Sequence, residues 1–393
     1  MSADRSRHGR VAVDAAAVVS PGAVAFCTPR ANRRPDMDIA EFELERFFAE
    51  HEHEADVMLA ESGIRSLSAD RFDLDPGELG YVIPTDGDPE LRADVAERYD
   101  RDAEEVLFTC GTQEANFVAF HALMDRDSHA VVVTPTYQAL HAVPESIGSV
   151  TRVGLTPPTW ELDLDAVADA VGPETEVVVL NNPNNPTGRY HPQETVEALY
   201  DIAADVDAHL LCDEVYRLLD DDPLDPAASL GPRAISTASL TKAYGLAGTR
   251  FGWLVAEESV VADAWNWKDY TTISPSLFGQ HVARQALGPQ EADILASNRE
   301  LAAKHHDVVA EWLAEHGLSW HDPVGVNGFP TVPEGFADAR EFCLTVVDEA
   351  SVVLAPGDAF GPYEDRFRIG FGLPTDELRE GLARVGEVIE RHG

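Results

Sequence analysis

The chain has 393 residues, 44% of them apolar, and carries 70 acidic against 29 basic side chains for a formal charge of −41. That length can bury one large core, or a large and a small one. No run of 18 apolar residues is present to span a membrane, and so negative a chain is repelled by nucleic-acid phosphates and anionic membrane surfaces alike. Scarce lysine beside abundant carboxylates is the composition of salt-adapted, cytoplasmic proteins, whose self-repulsion needs screening. Four dispersed cysteines with no CxxC speak against a disulfide framework or a metal site.

In chain order, residues 1–36 hold six arginines against three acids and no strong helical period, so a disordered extension is expected there. Two accounts of it stand: translation starting at Met37, or a flexible arm lying on the acidic body. From Met37 the charge changes sign and "AEFELERFFAEHEHEADVML" begins as an amphipathic acidic helix. His51 and His53 in "HEHE" are two apart, on different sides of a helix, which reads as a solvated face and not a metal site. The middle of the chain alternates β-branched runs with helical patterns. "HAVVVTP" (129–135), "TEVVVLNNP" (175–183), "AHLLCDEVY" (208–216), "RAISTAS" (233–239) and "RFGWLVA" (250–256) read as strands of a mainly parallel sheet.

Between two of these strands, "QETVEALYDIAADV" (193–206) puts Val196, Leu199, Ile202 and Ala203 on one helical face, with Pro192 at its start. From residue 289 the pattern predicts a long helix stopped by Gly317. Strand-like "EFCLTVVD" and "RFRIGFG" follow, then an amphipathic helix from about Asp376. The expected fold class is α/β. A large domain (69–275) carries the parallel sheet, and a smaller α+β domain combines residues 37–68 with 276–393.

Only three lysines occur, and Lys242 stands in "SLTKAYGLAGTRFG", between a Ser/Thr cluster and a small-residue run ending at Arg250. A lysine kept for solubility would not need Ser239 at −3 or Arg250 at +8. "FTCGTQEANF" (108–117) reads as a strand end, a glycine turn and a helix start, which turns the N–H groups of Gly111, Thr112 and Gln113 toward an anion. Asp213, in "CDEVY", ends a buried strand, where a carboxylate without a partner is costly. "NNPNNPTG" places Asn185 in a long turn at another strand end. Such loops, at the carboxyl ends of strands, are where α/β sheets gather functional groups.

In order and content, residues 70–375 resemble the fold-type I pyridoxal-phosphate aminotransferases, the aspartate aminotransferase-like superfamily. The resemblance implies pyridoxal 5'-phosphate as cofactor and Lys242 as the Schiff-base amine that later moves a proton. It implies that Gly111, Thr112, Gln113, Ser239 and Arg250 bind the cofactor phosphate, and that Asp213 pairs with the pyridine nitrogen. Asn185 and Tyr216 would hydrogen-bond the ring oxygen and Tyr137 would stack on the ring. Arg368, in "FRIGFG", would fork the substrate α-carboxylate.

The family's early glycine-containing stretch is not identifiable in residues 60–75. Tyr81 is the candidate aromatic supplied by a neighbouring subunit, one residue further from Gly87 than in most relatives. The implied protein is a homodimer that moves nitrogen between an L-amino acid and a 2-oxo acid. A lyase, cyclase or decarboxylase of amino acids shares the same motifs. A ligand-sensing regulator would need a DNA-binding module, which the first 70 residues do not show. A Rossmann nucleotide binder would need a G-x-G-x-x-G after the first strand, and none is there.

Overall fold

In the computed structural model the described residues are 39–393; the segment 1–36 expected to be disordered lies outside them. Ile39–Gly393 form one compact unit. The chain enters through helix α1 (Glu43–His51), the two-residue strand β1 (Val57–Met58) and helix α2 (Pro89–Ala96). There follow β2 (Val106–Thr109), α3 (Thr112–Leu123), β3 (His129–Thr134), α4 (Ala139–Ile147), β4 (Ser149–Gly154), α5 (Leu164–Ala170) and β5 (Thr175–Asn181). Next come α6 (Gln193–Ala204), β6 (His209–Asp213), β7 (Ala234–Ser239) and β8 (Gly252–Val255).

Strands β2 to β8 form one seven-stranded sheet in the order β2-β8-β7-β6-β5-β3-β4. All neighbours pair parallel except β8, which is antiparallel to β2 and β7. Side chains alternate between the faces of a strand, and here both faces are apolar. Val131, Val133, Val178, Leu180 and Leu210 join one core, while Ala130, Val132, Val177, Val179 and Leu211 join another. That is why these strands read as continuous β-branched runs and not as alternating ones.

Register brings the functional strand ends level. Asn181 pairs with Asp213 and Asp213 with Thr237, while Gly252 lies opposite both Thr109 and Ser239. A Cβ at Gly252 would sit 2.7 Å from the Gly111 carbonyl carbon, so only glycine lets β8 pass the turn after β2.

The remaining elements are α7 (Glu258–Lys268), α8 (Leu277–Ala286), α9 (Glu291–Glu315), β9 (Asn327–Gly328), α10 (Ala339–Ala350), β10 (Val352–Val353), β11 (Ala355–Pro356), β12 (Phe367–Gly370) and α11 (Thr375–His392). β11, β12 and β9 make a small antiparallel sheet, and β1 pairs parallel with β10.

The strand expected over "EFCLTVVD" is instead the body of α10. Asp338 caps it, accepting from the Glu341 N–H at 2.8 Å, and the Glu341 carboxylate reaches back to the Ala337 N–H. The buried positions Ala339, Phe342, Cys343 and Val346 recur at helical spacing. A run of β-branched residues at 345–347 outweighed that cap in the sequence reading. α1 also ends at His51, so His53 lies beyond the helix and not on its face.

Candidate active site

At the carboxyl ends of β5, β6 and β7 lies a cavity of about 300 Å³. Next to it, Gly111 at φ +79° turns the chain from β2 into α3. Thr112 and Gln113 line the cavity from the first turn of that helix, the end where free N–H groups attract anions. Arg250, itself at φ +48°, lies over this turn: a Cβ at Gly111 would come 3.0 Å from its Nη2. Ser239 faces the same space, its Oγ accepting from the Thr241 N–H at 3.3 Å. Thr112 Oγ1 is buried with no protein partner. A helix start, a guanidinium, a serine hydroxyl and an unsatisfied threonine hydroxyl are together a donor set for a phosphate.

Asp213 is 6% exposed and lines the cavity from the end of β6. Its carboxylate accepts from Asn116 Nδ2 at 2.8 Å and from the Val215 N–H at 3.3 Å. Asn116 is in turn fixed by Thr237 Oγ1, which donates to its Oδ1 at 2.7 Å. Burial pushes the Asp213 carboxyl up to about 6, against the pull of these hydrogen bonds and of Lys242. Among the described residues no cation touches it, which suits it to a protonated ring nitrogen. Together the donor set and this uncompensated carboxylate fit pyridoxal phosphate.

Lys242 is the one lysine at the cavity; Lys268 is fully buried elsewhere and Lys304 is exposed. Its ammonium donates to Ser62 Oγ at 3.1 Å and pairs with Glu61 at 3.4 Å. Burial pulls its pKa down, but its surroundings, Tyr216 and the Glu61 carboxylate among them, outweigh burial and the net direction is upward. Arg368 is 1% exposed. It donates to Asn185 Oδ1 at 2.9 Å and to the Ala60 carbonyl at 2.6 Å, while its Nε is buried without a partner. Burial lowers its pKa, so this guanidinium is starved of solvation and open to a carboxylate. Asn181 holds the Asn185 loop by accepting from the Asn185 N–H at 2.7 Å. Tyr137 lines the wall and donates to Glu45 Oε1 at 3.0 Å, and Tyr216 is buried beside Lys242.

Lys242, Asp213, Tyr216, Thr112, Gln113, Tyr137, Asn185, Ser239, Arg250 and Arg368 thus share one cavity, and Gly111 backs Arg250. Tyr81 does not line it; that side chain is 78% exposed. Sequence reasoning missed Asn116, Glu61, Ser62, the α1 side chains Glu45 and Phe48, and Glu52 just beyond that helix, all in the wall. Asn116 was findable, one helical turn after Thr112 on the same face. Within residues 60–75, Gly63 comes near the site: Lys242 Cδ is 3.9 Å from where a Gly63 Cβ would stand.

The family model for aminotransferase class I and II matches residues 59–385. Capreomycidine synthase of Streptomyces vinaceus is 33% identical over 89% of this chain and 94% of its own length. The aspartate/prephenate aminotransferase of Thermus thermophilus is 28% identical over 82% of this chain and 86% of its own. Among solved structures, a PLP-dependent aminotransferase from Streptococcus suis superposes with a TM-score of 0.85 at 28% identity, covering 91% of this chain and 99% of that one.

Proposed function

We propose how this chain, which belongs to the class I and II aminotransferase family and is a pyridoxal-phosphate-dependent aminotransferase, carries out nitrogen transfer with its own residues. Thr112, Gln113, Ser239 and Arg250 hold the cofactor phosphate against the start of α3. Asp213, kept in place by Asn116, holds a proton on the ring nitrogen, and Asn185 and Tyr216 hydrogen-bond the ring oxygen. Tyr137, in the cavity wall, would stack on the ring. Arg368 forks the α-carboxylate of an L-amino acid or a 2-oxo acid, using donors that burial has left under-solvated. Bound there, pyridoxal phosphate supplies an aldehyde carbon for the amino nitrogen and a cationic ring that accepts the electron pair left on Cα. Lys242 Nζ would hold that aldehyde as its amine partner and, as a free amine, would move a proton to and from the substrate Cα.

The observation that carries this reading is the convergence of Lys242, the buried Asp213 and the under-solvated Arg368 on one cavity. Holoprotein mixed with a panel of amino acids should pass to the pyridoxamine form and return with 2-oxo acids. Lys242→Ala should lose both this conversion and the visible absorbance of bound cofactor. Lys268→Met should keep both but melt earlier, because that amine is buried on Thr272. Loss of the chromophore in the Lys268 variant alone would move the site.

Similarity to a solved PLP-dependent cyclase, OrfR, at a TM-score of 0.82 and 26% identity over 93% of this chain and 100% of that one, favours one second reading, a cyclase acting on the same scaffold. It predicts substrate turnover with no pyridoxamine form and no need for an oxo acid.

A homodimer is part of the proposal. Leu79, Tyr81, Ile83, Tyr270 and Ile273 are large apolar side chains left exposed on the single chain, and such exposure suits cover by a second copy. Tyr81 would then reach the neighbouring site. The division into a large domain (69–275) and a small one (37–68 with 276–393), a cytoplasmic location and adaptation to high salt belong to the same reading. Among the described residues, no helix is long and apolar enough to cross a membrane.

A further inference from the structure

Seven charged side chains line the cavity: Glu45, Glu52, Glu61, Asp213, Lys242, Arg250 and Arg368. Under the function proposed above, on which this inference rests, four have work: Arg250 on the phosphate, Asp213 on the ring, Lys242 in the chemistry and Arg368 on the α-carboxylate. The three left over are all carboxylates, and among the described residues of the single chain no further cation lines the cavity to meet a second acidic group on a substrate. That the cavity is built for a ligand is shown independently by Thr112 Oγ1 and Arg368 Nε, both buried without partners on its wall.

We infer that the amino-acid substrate carries a positive charge at the end of its side chain, an amine or a guanidinium, and that Glu61 receives it with Glu45 and Glu52 at the mouth. Glu61 lies beside both anchor points of the reaction. Its Oε1 is 3.4 Å from Lys242 Nζ, and the preceding residue, Ala60, accepts from Arg368 at 2.6 Å. Gly63 leaves the carboxylate its room, because a Cβ there would come 3.1 Å from Glu61 Oε1. The Lys242 and Arg368 charges hold Glu61 below the usual carboxylate range, so it is ionised at neutral pH. Lys242 satisfies it only while that amine is a free ammonium. When Lys242 is engaged in chemistry, Glu61 faces the cavity uncompensated, and a cationic side chain anchored through Arg368 would replace the lost partner. A dicarboxylic substrate would place its second carboxylate among three like charges.

The test uses ligands without an α-amino group, so that binding is read without turnover. Holoenzyme is titrated by calorimetry with 5-guanidinopentanoate, hexanoate and glutarate at the lowest salt that keeps it folded. The guanidino acid should bind about tenfold to a hundredfold tighter than the other two, the range of one charge-assisted pair. Glu61→Gln, checked by melting temperature, should abolish that preference, and Glu61→Asp should keep part of it. Glu52→Gln should weaken it less. Equal or tighter binding of hexanoate or glutarate, no measurable binding of the guanidino acid, or an unchanged preference in Glu61→Gln would overturn the inference. Absence of any pyridoxamine form with the amino-acid panel would instead sink the transamination reading, whatever the ligand order.

Discussion

Asp213 shows how one buried atom group ties stability to chemistry. Burial outweighs its hydrogen bonds and the charge of Lys242, and holds its carboxyl at about 6 against an ordinary 3.8. Below the lower value both folded and unfolded chains carry the proton, and above the higher value neither does. Between them only the folded chain binds it, so its stability falls as pH rises through that window. A shift of this size corresponds to about 3 kcal/mol lost in full above pH 6. Cofactor-free Asp213→Asn should therefore melt above the parent at pH 7 to 8, with the gap closing toward pH 4 in a thermal scan. Loaded with cofactor, the same variant should lose about a hundredfold or more in kcat, since an amide cannot hold the ring proton. A cofactor-free variant less stable than the parent at pH 8 would show that Asn116 and Val215 already compensate the charge.

At the scale of elements, strands and helices differed in how openly they declared themselves. β3, β5, β6, β7 and β8 were legible because each is buried on both faces and so apolar throughout. α6 was legible from its apolar stripe and Pro192, and α9 from its length and from Gly317, which takes φ +67° just beyond its end. α10 was not, because its composition favours a strand while its cap and its spacing favour a helix. Asp338→Ala should remove that cap and cost about 1 kcal/mol, lowering the melting midpoint without changing cofactor absorbance. An unchanged midpoint would mean that packing of Phe342, Cys343 and Val346 alone holds α10. α1 was legible as a helix but not as part of the site. It comes to the cavity through Gln138, which accepts from the Glu43 N–H at 2.9 Å and donates to the Glu41 carbonyl at 2.7 Å.

The whole molecule carries a charge of −41, and each added carboxylate on a compact body raises the work of holding it together. Surface ion pairs such as Arg391 with Glu349 and Arg384 with Asp56 answer only part of it, because arginines and lysines are so outnumbered. Salt shortens the reach of this repulsion from about 10 Å at 0.1 M to about 3 Å at 1 M. The melting temperature should therefore climb between those concentrations, and sodium chloride and potassium chloride should act alike. A midpoint independent of salt would show that the repulsion is already balanced within the fold.

The sequence by itself determined the sheet, the lysine and the anion cradle, because each is a local matter. Chain-continuous burial writes β-branched runs, and a glycine turn followed by a helix start needs no distant partner. Lys242, Asp213, Asn185 and Arg250 could be read for the same reason: each lies at a strand end or in the loop after one, and the strands were legible. Only the tertiary structure could bring Glu61 to Lys242, 181 residues away in sequence, or Asn116 to Asp213, 97 away. Those contacts depend on strand register and on where the chain before β2 and α1 come to rest. Neither leaves a periodic trace in the residues that make the contact. The acidic mouth of the cavity is for the same reason a property of the fold, assembled from carboxylates that look, in sequence, like any others on an acidic surface.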